Sequence, residues 1–98
     1  MAWAYVQTVE GIGLDVYDAV GDEVGEETPP GAILHAAGLY EGKLRIIEVW
    51  ESEDAYRRFR EERLAPALLK VAGPEAVSSE WPPEGLEPME VHNLLQAE

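Results

Sequence analysis

Alternation of apolar and polar positions opens the chain. In Ala2 to Glu10, Trp3, Tyr5, Gln7 and Val9 share one face of an extended segment and Ala4, Val6 and Thr8 the other. Aromatic and β-branched residues at this density predict a strand with two buried faces. After the break at Gly11–Gly13, the period changes. Leu14, Tyr17, Val20 and Val24 recur at helical spacing, with Asp15 and Asp18 near the positive end of the helix dipole. "GEETPPG" ends that helix, since its prolines and glycines forbid continuation. Ala32 to Tyr40 and Lys43 to Glu51 read as two further strands. Glu41–Gly42 between them is a tight turn, so the two form a hairpin. Ser52 is a helix cap with Glu53 and Asp54 in the first turn, and Ala55, Tyr56, Phe59, Leu64, Leu68 and Leu69 make its apolar stripe. Pro66 suits the opening of a second short helical segment, and Gly73–Pro74 ends it. Ser78 to Pro88 reads as a loop in which Trp81 serves as a lid or a dimer contact. Met89 to Leu95 reads as the last strand, entered through Pro88.

The order strand, helix, strand, strand, helix, strand predicts an α+β fold, the ferredoxin-like split βαβ arrangement with a four-stranded antiparallel sheet. Residues 1–98 are expected to form one domain. Two helical elements cover one face of such a sheet, yet the first three strands are apolar on both. An uncovered apolar face is rare on a soluble monomer. The chain is therefore expected to pair with itself through its sheet faces, as a homodimer that encloses a barrel-like space.

Charge removes several function classes. The chain has 20 acidic and 7 basic residues, and its first 42 residues carry eight acids and no Lys or Arg. Nucleic acid is excluded as a partner, because phosphate contacts need clustered cations. An anionic membrane surface is disfavoured on the same ground. No apolar run approaches the ~18 residues of a membrane span and no signal-peptide pattern opens the chain, so the expected compartment is the cytoplasm. The acidic surface fits plain self-repulsion in solution or adaptation to a salt-rich interior. With no cysteine, thiolate chemistry and disulfides are absent. No Gly-rich phosphate loop is present, and no local spacing supports a metal site.

The hairpin supplies the candidate chemistry. A two-residue turn at Glu41–Gly42 places Leu39 opposite Leu44, Ala37 opposite Ile46, His35 opposite Glu48 and Ile33 opposite Trp50, all on one sheet face. A His and a Glu thus meet on an otherwise apolar wall beside a Trp. His35 is the candidate general acid or base, and Glu48 the group that orients it and favours its charged form. Trp50, Tyr5, Ile33, Ile46 and His92 are the candidate pocket residues. The bland account of the pair is a cross-strand hydrogen bond with nothing to catalyse. The charges of the second helix have an ordinary account too, since Glu53 precedes Arg57 and Asp54 precedes Arg58 by one turn.

The pattern "PPGAILHAAG…GKLRIIEVWESEDAYRRFREERLAPAL…PMEVHN" resembles the dimeric α/β-barrel superfamily, in particular its small antibiotic biosynthesis monooxygenase-like bacterial members. The likeness spans most of residues 2–95 and is most specific at the strand–cap–helix junction "VWES". It implies a ferredoxin-like protomer, a homodimer through the sheets and a ligand cavity between sheet and helices or inside the barrel. Trp50 matches the tryptophan that such monooxygenases carry at the end of the third strand. Ile46 stands where they carry asparagine, and Gln7 or Val9 where haem-degrading relatives carry one. Arg60 stands where those relatives carry a histidine, so no haem is expected, nor any other cofactor. The activity implied is that of a cofactor-independent monooxygenase, cyclase or isomerase on a small apolar or aromatic molecule. The alternative is a ligand-binding or stress-related protein of the same fold without turnover.

Overall fold

The structure, a computed structural model, describes residues 2–96. Strand β1 (Trp3–Val9) is followed by helix α1 (Leu14–Val24), strands β2 (Ala32–Tyr40) and β3 (Lys43–Trp50), helices α2 (Glu53–Phe59) and α3 (Ala65–Ala72), and strand β4 (Leu86–Glu90). The four strands form one antiparallel sheet in the order β2-β3-β1-β4, with both long strand-to-strand crossovers helical. This is the ferredoxin-like α+β arrangement expected from the sequence.

The β2–β3 turn is as tight as predicted. Glu41 and Gly42 both adopt positive φ, 51° and 78°, the primed-turn geometry whose twist matches that of the strands. It fixes the register, with Tyr40 opposite Lys43 and His35 opposite Glu48. One pairing differs from expectation. Ala32, not Ile33, stands opposite Trp50, because a bulge between Ala32 and Leu34 absorbs one residue. The bulge follows Gly31, which sits at φ +88°; a Cβ there would lie 2.6 Å from the Cβ of Ala55, so only glycine lets β2 pass this close to α2.

Ser52 caps α2 as its sequence suggests, its hydroxyl accepting from the Ala55 N–H at 3.1 Å. Pro66 lies in the first turn of α3, yet the chain does not break there. A π-helical turn, Arg60–Leu64, joins α2 to α3. Proline lacks the N–H of the α-helical ladder and its ring crowds the carbonyl one turn back, which the wider turn relieves.

The core is aromatic. Trp3, Tyr5, Trp50, Tyr56 and Leu86 are buried together under α2, with Phe59, Ile46 and Trp81 packed on their margin. Tyr56 is fully buried and lies 4.9 Å from Tyr5, 5.3 Å from Trp3 and 5.4 Å from Trp50, ring centre to ring centre. Trp81 closes the cluster as a lid over Trp3 and Tyr56, with the Arg57 guanidinium 4.4 Å from its ring centre.

Three expectations are corrected. The last strand runs Leu86–Glu90 rather than Met89–Leu95, so Pro88 lies inside it. An edge strand tolerates this, since one side of β4 has no partner to bond. Leu14 and Leu69 are exposed rather than in the buried stripes; Val16, Tyr17, Val20 and Val24 face inward from α1. Glu53 pairs with Arg57 at 3.5 Å, but Asp54 and Arg58 form no ion pair among the described residues.

The sheet face away from the helices is open. Leu34, Val49, Ala4 and Met89 form one cross-strand row on it, and Ala36, Ile47, Val6 and Glu87 the next. Leu34, Ile47 and Met89 are each about half exposed there.

Candidate functional site

The helix-side row through the middle of the sheet reads His35, Glu48, Tyr5, Pro88 across the four strands. Glu48 is 7% exposed, a carboxylate on a wall of aromatic side chains. Both of its oxygens have partners. The Trp50 indole N–H donates to Oε1 at 2.8 Å, and His35 Nδ1 is hydrogen-bonded to Oε2. Trp50 reaches Glu48 because residues two apart in a strand point to the same face.

With Nδ1–H committed to the carboxylate, a neutral His35 carries its lone pair on Nε2. That atom is hydrogen-bonded to the hydroxyl of Tyr17, whose ring lies nearly parallel to the imidazole with centres 6.1 Å apart. The result is a relay, Tyr17–His35–Glu48, backed by Trp50. His35 is 47% exposed in its side chain and Glu48 9%, so the relay runs from an open wall into the sheet.

Each titrating group responds to these contacts. The hydrogen bond to Glu48 raises the His35 pKa above its ordinary value, against the opposing pull of partial burial. Burial raises the Tyr17 phenol, with the charges of Glu48 and Asp18 adding to it, so its phenolate is disfavoured. Tyr5 is raised far more strongly, by burial first and then by Tyr56 and Glu48 beside it. Burial also dominates at Tyr56.

The Glu48 partnership has a measurable signature. In Glu48→Gln the imidazolium loses its charged partner, and the His35 pKa is expected to fall to or below its ordinary ~6.5, read by NMR titration of the ring protons. The linkage has a definite sign. Because the folded-state pKa of His35 is raised, its contribution to stability is fully present below about pH 6.5 and is lost as pH rises through the folded value. Chemical denaturation across that window should show the decline in the wild type and not in Glu48→Gln. An unchanged His35 titration in the variant would contradict the contact.

The relay opens on a cleft of about 1320 Å³ between the sheet and α1, continuing along α2 and the loop after α3. Tyr5, Ile33, Ile46, Glu48, Trp50 and His35 all border it. His92 does not. β4 ends at Glu90, two residues short of it, so His92 is exposed beyond the sheet. Tyr17 joins the site although strand pairing gave no reason to place it there. Its signal in the sequence was a hydroxyl-bearing aromatic in the middle of the α1 stripe. Among the described residues no three His, Asp or Glu side chains gather as metal ligands, and no helix is long and apolar enough to cross a membrane.

No protein-family profile matches the chain, and no curated protein matches it. Solved structures do. The chain superposes on a protein assigned as an antibiotic biosynthesis monooxygenase from Chloroflexus aurantiacus J-10-fl, with a TM-score of 0.63 at 13% identity, covering 100% of this chain and 98% of that one. It also superposes on a point mutant of SnoaB, a cofactor-independent oxygenase from Streptomyces nogalater, with a TM-score of 0.57, 18% identity and coverage of 98% and 96%. A structural-genomics protein, YjcS, follows with a TM-score of 0.53 at 16% identity, covering 92% and 95%. The chain has the fold of the antibiotic biosynthesis monooxygenase-like proteins. At these identities the likeness is one of fold, and the chemistry rests on the site.

Proposed function

We propose that this protein is a cofactor-independent enzyme that removes a proton from a small aromatic or polyketide-like carbonyl compound held in the cleft, with His35 as base. The observation that carries the reading is the relay itself. A carboxylate with both oxygens bonded fixes the tautomer of an imidazole whose basic nitrogen faces the cleft through Tyr17. In the step, the substrate's acidic proton passes to the Tyr17 oxygen as the Tyr17 proton passes to Nε2. The products are the substrate anion and an imidazolium paired with Glu48. Such an anion reacts directly with dioxygen in a cofactor-independent oxygenation, or rearranges in an isomerisation or cyclisation. The fold shared with SnoaB supports the first outcome.

The test is a screen of phenolic and enolisable polycyclic carbonyl compounds, with dioxygen uptake and deuterium exchange at the acidic position followed together. Exchange with uptake supports oxygenation, and exchange without uptake supports isomerisation or cyclisation. Compounds that bind and show neither would make the protein a binding module.

The assembly we infer is a homodimer through the open sheet face, because the apolar side chains of the rows through Leu34 and Ile47 are otherwise left to water. Ile47→Glu places a charge at the centre of that face and is expected to yield monomers by light scattering with the far-UV spectrum unchanged. A wild-type monomer at micromolar concentration would defeat the inference.

A further inference from the structure

Four of the five arginines lie outside the lining of the cleft. Arg63 donates to the carbonyls of Val24 and Glu27 at 2.8 and 2.9 Å and ties the end of α1 to the helical layer. Arg57 pairs with Glu53 and stacks on Trp81, Arg58 is exposed, and Arg45 lies over the Tyr40 ring with its Nε buried and without a hydrogen-bond partner among the described residues. Arg60 is different. It begins the π-helical turn on the inward stripe of the helix, between Phe59 and Leu64, and all three border the cleft. Among the described residues no other Lys or Arg borders it, and no carboxylate pairs with Arg60. Its Nη1 donates to the Tyr56 hydroxyl at a long 3.3 Å, which leaves most of its five N–H donors uncommitted.

The surroundings of this cation narrow what it meets. Glu10, Glu26, Glu27, Glu75, Glu80 and Glu84 border the same cleft and make its rim acidic. That rim repels a ligand that arrives already ionised. A negative charge that develops inside, against Arg60, is stabilised instead. The two ends of the site are linked through the aromatic core, since Tyr5 neighbours both Glu48 and Tyr56, and Tyr56 bonds Arg60. One end takes a proton and the other holds a cation.

We propose that Arg60 is the oxyanion-stabilising residue of this cleft, and that the substrate is a compound uncharged on entry, a phenol or enolisable ketone rather than a carboxylic acid, which becomes an anion in place. The assignment rests on the proton-removal reading and narrows its substrate class. The proton leaves to His35 through Tyr17; in a phenol the O–H pair stays on the oxygen, in a ketone the C–H pair forms the enolate C=C bond as the carbonyl π pair moves to the oxygen, and in either case that oxygen accepts from the guanidinium. Lysine is a poor substitute, because it offers no planar fork to an oxygen that spreads its charge over a carbonyl or ring.

The experiment uses two probes of similar size, 4-nitrophenol and 4-nitrobenzoate, titrated into the full chain below the pKa of the free phenol. The wild type is expected to bind 4-nitrophenol and to generate its phenolate absorption band, and to bind 4-nitrobenzoate more weakly. Arg60→Gln and Arg60→Ala should lose the phenolate form by about tenfold or more, the range of a charge-assisted hydrogen bond, with Arg60→Lys between. Circular dichroism of the variants checks that they are folded. A phenolate band of wild-type strength in Arg60→Gln, or tighter binding of 4-nitrobenzoate than of 4-nitrophenol, would overturn the proposal while leaving the cleft as a ligand site. Failure of the wild type to bind either probe would remove both.

Discussion

Tyr56→Ala is expected to lower the unfolding free energy by about 3–5 kcal/mol, the range for emptying a large aromatic from a packed core. Tyr56 has no exposure and touches both sheet and helix sides of the aromatic cluster, so neighbours on either side cannot collapse into its place without moving the sheet. Native domains carry only about 5–15 kcal/mol in total. A loss of this size leaves a chain this short near the edge of folding. Urea unfolding of the variant reads it directly as a lower midpoint. Tyr56→Phe separates ring from hydroxyl. It keeps the packing, gives up the bond from Arg60, and should cost no more than about 1 kcal/mol. A Tyr56→Ala midpoint within experimental scatter of the wild type would mean that the cluster does not hold helix to sheet as described.

His35→Ala should reduce turnover of any substrate found by the screen by roughly 10²–10⁴-fold, the contribution of a positioned acid–base group. The effect belongs to kcat, because His35 acts on the proton in flight rather than on the apolar body of the ligand. Stability needs a separate control. Removing the ring leaves Glu48 Oε2 without its partner, and the open side of the cleft lets water take that place. His35→Gln restores an N–H donor but no base. It should recover stability and leave turnover as low as in His35→Ala. Recovery of turnover by glutamine would reduce His35 to a spacer for Glu48.

The parts of the site legible in the sequence were those set by local rules. A Glu–Gly pair between two strands specifies a primed turn, the turn specifies register, and register brings His35 to Glu48. The two-residue spacing within β3 brings Trp50 to the same carboxylate. What escaped depended on geometry beyond one element. The bulge at Ile33 answers the close approach of Gly31 to α2, which no β2 pattern announces. Tyr17 meets His35 only because α1 crosses the sheet at that height. Arg60 turned inward on a stripe of Tyr56, Phe59 and Leu64, a charge on an apolar face that one helical turn could have flagged. The start of β4 escapes the sequence pattern because Pro88 reads as a boundary, whereas an edge strand admits it within.

The relay is divided between two pieces of chain with different freedoms. His35, Glu48 and Trp50 sit on one hairpin whose turn admits no single-residue change in length, since one inserted residue sends His35 to the opposite face. Tyr17 sits on a helix joined to that hairpin by packing and its own hydroxyl, so its neighbours on α1 can drift without disturbing the acid–base pair. In a directed-evolution library, residues 35–50 are therefore the constant block. Diversity placed on α1 would exchange the group proposed to receive the substrate's proton, and with it the compounds accepted, while the hydrogen-bonded pair beneath is inherited intact.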